Sequence, residues 1–244
     1  MPLFATKRAV PSAAVVQAWS SLFPDGPRLA VLKGGGDVDE YAIDGRTLFA
    51  AFMPVPIPNN EATNAVRSSW MWQGPDAPVR EHASHAIGTA MGQGQGGPVE
   101  AAWDVARLSA ALLTAGESAA LYWGNARQVH MPKVAIAFAS EPRNLPVPLW
   151  VGITISASSM QGPFSAATHG LEALGHKEFE VVGSRKSIGD LRMALLDLAS
   201  YVLSNGPVLK HGQTFGPSAA DRWSIVHASS KLVPGREAIV LGIP

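Results

Sequence analysis

Cysteine is absent from this chain of 244 residues. That one absence excludes a disulfide framework, a thiolate metal site and a cysteine nucleophile. Charge is scarce: charged residues make up 16% of the chain against 47% hydrophobic, and 19 Lys and Arg balance 19 Asp and Glu. With no net field there is no electrostatic footprint for nucleic acid or an anionic membrane, and neither is expected as a partner. No uninterrupted apolar run approaches the roughly 18 residues that span a bilayer. The opening Met1-Pro2-Leu3-Phe4-Ala5-Thr6-Lys7-Arg8 lacks the apolar core of a signal peptide. These readings predict a cytoplasmic location. Catalytic signatures are missing as well: the chain has no G-x-S-x-G elbow, no P-loop and no H-E-x-x-H.

What is present reads as an α+β protein. A chain this long buries roughly 70% or more of its unfolded surface and needs no staples. Pro11-Ser12 starts a helix whose apolar face is Val15, Val16, Trp19, Leu22 and Phe23. A strand is predicted over 28–33, and strands over 38–43 and 46–53 flank the hairpin signal Asp44-Gly45. Pro54-Val55-Pro56-Ile57-Pro58 is stiff and extended. Asn59 or Asn60 then caps a short helix towards Trp70. A strand from His85 to Met91, a glycine-rich loop, a helix from Pro98 to about Ala115 and a strand at Leu121–Trp123 make a β-α-β unit. Further on come a short helix over 131–139 and strands at Leu149–Ser156, 164–168 and 178–182. Ser187 and Asp190 resemble a capping box for a helix that Asn205-Gly206-Pro207 ends. Two strands near 223–228 and 237–242 follow. Strands in clusters with helices packed on a mixed or antiparallel sheet point to one α+β domain over 1–244. Two ferredoxin-like halves, near 1–125 and 126–244, are the internal division considered.

Several stretches carry a family likeness. They are Pro54-Val55-Pro56-Ile57-Pro58, Trp70-Met71-Trp72, Tyr122-Trp123-Gly124, Pro148-Leu149-Trp150-Val151 and Thr168-His169-Gly170-Leu171. The most specific is Asn205-Gly206-Pro207-Val208-Leu209-Lys210-His211-Gly212-Gln213-Thr214-Phe215-Gly216. Together, from about residue 48 onward, they resemble an uncharacterised bacterial family known as domain of unknown function 4261. The resemblance implies no established activity or catalytic residues.

Four groups of residues are candidates for function. Gly92-Gln93-Gly94-Gln95-Gly96-Gly97 is a literal G-x-G-x-x-G before a helix, and Glu117 lies twenty residues beyond Gly97. Against a nucleotide site, Pro98 starts the helix after the glycines, and Glu117 opens the next strand instead of closing it. Glu81-His82-Ala83-Ser84-His85 offers His82 and His85 as metal ligands, with His130 and His211 as further imidazoles. At a helix-to-strand junction the two rings diverge, and partly buried, hydrogen-bonded structural histidines are the favoured explanation. The loop bearing His211, Gly212, Thr214 and Gly216 is either functional or a tight turn. Trp70 and Trp72 stand beside Gln73-Gly74-Pro75-Asp76 and are the candidate interface aromatics. The expectation is therefore a non-enzymatic accessory, immunity-type or adaptor protein that binds another protein, with self-association open and no cofactor. It carries a discrete exposed apolar patch. The alternative is a small-molecule binder or hydrolase-type enzyme whose site joins at least two of 81–85, 92–97 and 211–216.

Overall fold

The computed structural model describes residues 1–92, 97–141, 144–157, 159, 162–216, 218 and 222–243. The α+β class expected from the sequence is what forms, as two compact units, Met1–Leu149 and Trp150–Pro244.

In the first unit the chain runs β1 (Pro2–Phe4), α1 (Ser12–Leu22), β2 (Ala30–Lys33), β3 (Val38–Ile43), β4 (Arg46–Met53), α2 (Glu61–Val66) and α3 (Ala77–Arg80). It continues through β5 (Ser84–Met91), α4 (Gly97–Ala115), β6 (Ser118–Trp123), β7 (Gln128–His130) and α5 (Pro132–Ser140). The seven strands lie in the order β2-β3-β4-β5-β1-β6-β7, and every neighbouring pair is antiparallel. The β3–β4 turn forms because Asp44 and Gly45 take φ of 42° and 78°, the two left-handed positions that an Asp-Gly hairpin turn requires. The expected β-α-β unit is split. Strands β5 and β6 are parallel to each other, but β1 sits between them and pairs with both. Three residues are too short a run for periodicity to reveal, so this central strand has no sequence signal.

Leu3 and Phe4 point to opposite faces of that sheet. Phe4, Tyr41, Ile43, Leu48, Ala50 and Ala86 pack against Val15 and Trp19 of α1 and against Leu108, Ala111 and Leu112 of α4. On the other face Leu3, Ala120, Tyr122 and Val129 pack against Ile57, against Ala62 and Ala65 of α2, and against Val79 of α3. The short helix α2 exists where expected, but not by the expected cap. Asn59 and Asn60 both take left-handed φ, 57° and 54°, and neither makes a side-chain cap. Asparagine tolerates that conformation, so it serves as backbone there instead of as a capping acceptor.

The turn α6 (Val147–Trp150) leads into β8 (Gly152–Ala157). Residues Leu149 and Trp150, expected to open a strand, are thus helical. A short apolar run is ambiguous, and Pro148 is accepted in the first turn of a helix. Then follow β9 (Phe164–His169), β10 (Glu178–Ser184), α7 (Ile188–Asn205), β11 (Thr214–Phe215), β12 (Trp223–Ser229) and β13 (Glu237–Gly242). Their order is β11-β12-β13-β10-β9-β8, antiparallel except for the parallel pair β10–β13. A ferredoxin-like unit has two crossover helices; among the described residues this unit carries one long helix, α7.

Two buried glutamates anchor the second sheet. Glu178 accepts from the Thr168 hydroxyl (2.7 Å) and the Gly170 N–H (2.7 Å) and pairs with Arg236 at 2.9 Å. Glu180 accepts from the Ser230 hydroxyl and from the N–H groups of Lys231 (2.8 Å) and Leu232 (3.1 Å). Buried carboxylates with this many partners fix loops in place. Helix α7 begins as expected: the Ser187 hydroxyl accepts from the Asp190 N–H at 3.1 Å and donates to its carboxylate at 2.7 Å. Replacing Ser187 with Ala removes that cap and is expected to cost about 1 kcal/mol in urea unfolding. An unchanged midpoint would show that the cap adds nothing.

Candidate functional site

The two histidines of 81–85 are spent on the proline-rich segment. In Pro54-Val55-Pro56-Ile57-Pro58 the three prolines have no N–H, so Val55 and Ile57 carry its only backbone donors. The Ile57 N–H donates to Nε2 of buried His82 at 2.8 Å, and His82 Nδ1 donates to the Val79 carbonyl. His85 Nδ1 donates to the Val55 carbonyl at 2.9 Å, and burial lowers the basicity of its ring. Both rings therefore stitch residues 55–57 to residues 79–85. His130 does not join them. Through Leu121 it is in register on the sheet face opposite His85, which pairs with Leu3. Among the described residues no three His, Asp or Glu side chains group as a metal site.

Of the glycine loop, Gln93–Gly96 fall outside the described residues; its ends do not. Gly92 takes a φ of 126°, and a Cβ there would lie 3.3 Å from the Arg46 Cα. Gly97 opens α4, whose 19 residues put Glu117 at the far end, roughly 28 Å away. Glu117 is exposed in the turn before β6, so the spacing that completes the fingerprint in sequence fails in space. Residues 81–85 and Gly92 stand at opposite ends of β5 and do not meet.

Beside Gly92 lies a charge cluster that sequence reading missed. Arg46 donates from Nε to Asp104 (2.7 Å) and from Nη1 to Glu100 (2.8 Å). Asp104 is almost wholly buried, and burial pushes its carboxyl up while the Arg46 bond holds it down. Nearby, the Arg107 guanidinium lies 5.1 Å from the centre of the Trp103 ring and 5.8 Å from that of Phe23. The cluster fastens the start of β4 to α4. Its one sequence signal was the i, i+4 spacing of Glu100 and Asp104 on one helix face.

The 211–216 loop extends a sheet. Gly212, at φ 81°, donates to the Ile225 carbonyl at 2.9 Å, and Ile225 donates back to Gln213 at 3.0 Å. Thr214 pairs with Ser224 and Phe215 with Trp223, and the Phe215 ring is sandwiched between Tyr201 (5.1 Å) and Trp223 (6.2 Å). His211 is exposed; its Nδ1 accepts from the His227 N–H at 3.1 Å. Gly216 is half-buried. None of His211, Gly212, Thr214 and Gly216 lines a described cavity. The residues just before them do. Pro207 and Leu209 wall a half-open cavity of about 160 Å³ together with Gly175, His176, Lys177, Phe179, Val202, His227 and Ile239.

The tryptophan pair splits. Trp70 is exposed, whereas Trp72 packs half-buried on the Leu3–Ile57–Val79 cluster with its Nε1 enclosed and unbonded. A larger apolar surface lies on the first sheet, on the face that α2 and α3 cover only in part. Cross-strand register sets Val38, Ala51 and Ile87 in one row, Glu40, Phe49 and Thr89 in the next, then Ala42, Thr47 and Met91. Met53 stands beside His85 at the covered end. Val38, Met53, Ile87 and Met91 are all exposed, Ile87 by 40% and Met91 by 62%. The sequence placed these residues on strands, but only the sheet order tells which half of the face is left bare.

The family model described as Domain of unknown function (DUF4261) matches residues 167–242, most of the second unit and all of the residues around its cavity. The likeness at 54–58, 70–72, 122–124 and 148–151 lies outside the matched residues. No curated protein and no solved structure matches the chain.

Burial makes one titration visible. It lowers the His130 imidazole to about 4, against a smaller opposing pull from the Leu149 backbone. A folded value below the ordinary one of 6.5 gives stability that is complete above 6.5 and lost as the pH falls through 4. Between those limits the protein is expected to lose about 3 kcal/mol more than a His130→Gln variant. Denaturant titrations across the pH range read the difference, and parallel curves would contradict it.

Proposed function

We propose, for a chain whose residues 167–242 belong to the DUF4261 family, a non-enzymatic role in which the first unit docks another protein on the bare half of its sheet. One observation carries this reading: Val38 of β3, Met53 of β4, and Ile87 and Met91 of β5 are exposed on one face, so apolar side chains meet solvent across three adjacent strands, with Glu40 and Thr89 in the row between. Contiguous exposed apolar patches are uncommon on monomeric surfaces and mark contact sites. The rim suits a partner too. On the β2 side of the middle row Glu40 pairs with Lys33 at 3.8 Å, so a polar pair borders the apolar residues there. Methionines at two of the exposed positions can repack against an uneven partner surface. The histidines of 81–85 are engaged with backbone and, among the described residues, stand a strand's length from Gly92, which weighs against an enzyme site joining the two. Among the described residues no helix is long and apolar enough to cross a membrane.

The test is affinity capture from cells with the unaltered protein, an Ile87→Lys variant and a Val226→Lys control, whose exposed valine lies on the second sheet. Exposed substitutions of this kind shift stability by about 0.5 kcal/mol or less, so fold is retained. A partner captured by the unaltered protein and the control, but reduced about ten-fold or more by Ile87→Lys, is the expected result. Equal capture by all three would remove the patch from the account.

A further inference from the structure

We propose that the cavity between β10, α7 and the segment after α7 binds a small monocarboxylate with a branched or aromatic tail. Its interior is apolar: Phe179 of β10 and Ile239 of β13 are register neighbours, Val202 faces them from α7, and Pro207 and Leu209 close one side. Such a lining gains nothing from holding water, and a carbon skeleton fills it favourably.

The polar lining is different in kind. His176, Lys177 and His227 supply nitrogen, and no carboxylate lines the cavity. Among the described residues the Lys177 ammonium pairs with Glu237, at 4.0 Å with both side chains open to solvent, a pair too weak to hold the ammonium against a ligand. His176 brings an imidazole to the same lining, and burial lowers its basicity. His227 is locked as wall: its Nε2 donates to the Leu209 carbonyl at 2.9 Å, and its own N–H is held by His211. A cation and an imidazole on one lining with an apolar floor match an anionic head on an apolar tail.

Size narrows the class. At about 160 Å³ the cavity is smaller than the roughly 300–1,000 Å³ of sites for drug-sized ligands. A branched short-chain or aryl acid fills such a volume, whereas a nucleotide or a peptide would stand largely outside it. The site lies wholly inside the matched family segment, and it does not depend on the docking surface of the first unit.

The experiment is amide NMR of the whole protein titrated with 4-methylpentanoate and, separately, with its neutral amide. Saturable shifts at Gly175, His176, Lys177, Val202, Leu209 and His227 are expected with the acid. Loss of the charged contact weakens binding about ten-fold or more, so the neutral amide binds that much less tightly. Lys177→Ala reduces the acid to the level of the amide and leaves the amide unchanged. Val202→Phe fills the cavity and abolishes both; should it fail to fold, the exposed Lys177→Ala variant still decides the matter. Absence of saturable shifts with the acid, or equal affinity for acid and amide, overturns the proposal.

Discussion

The first unit rests on a sheet whose two faces are both apolar, and strand alternation means each must be covered or exposed. The two-residue period sends Phe4 to one side and Leu3 to the other within a three-residue central strand. Helices α1 and α4 supply one cover. The other is short: α2, α3 and the proline-rich segment reach over β1, β6 and β7. Its position is set by His82 and His85, which bind residues 55–57 to the start of β5. Beyond that stitch, among the described residues, Val38, Ile87 and Met91 in the rows across β3, β4 and β5 are exposed to solvent. The same histidines that a motif search offers as metal ligands thus decide where the apolar surface begins.

Scarcity of charge follows the same logic. The few ionised groups with well-defined geometry are anchors: Arg46 with Asp104 and Glu100, Arg236 with Glu178, and Glu180 with the 230–232 backbone. A buried carboxylate that accepts from N–H groups or a guanidinium is fixed in position and ties together the segments that supply those donors. Lys177 and His176 instead line a described concavity with an apolar floor.

Local signals were legible where a turn or cap had a specific chemical requirement. Asp44-Gly45, Pro11-Ser12, Pro98, Ser187 with Asp190, and Asn205-Gly206 each marked an element that forms at or within a few residues of its expected bounds. Strands of two or three residues, β1, β7 and β11, carried no periodicity and stayed hidden. Neighbourhood was not legible at all. Glu117 matched a fingerprint by count, but α4 carried it away from the glycines. The loop at 211–216 stood out for its glycines and imidazole, yet the cavity belongs to Pro207 and Leu209 before it. It belongs also to His176 and His227, which reach it through the pairing of β10, β13 and β12.

Hydroxyl-radical footprinting of methionines tests the docking face most directly, because it requires no substitution and carries its own control. Met53 and Met91 are exposed on the bare face, and Met193 is exposed on α7. In the purified protein all three should oxidise readily. In intact cells Met53 and Met91 should be protected while Met193 is not, since a partner covers the sheet and leaves α7 open. Oxidation of all three to the same extent in cells as in the purified protein would contradict a role for this face in binding.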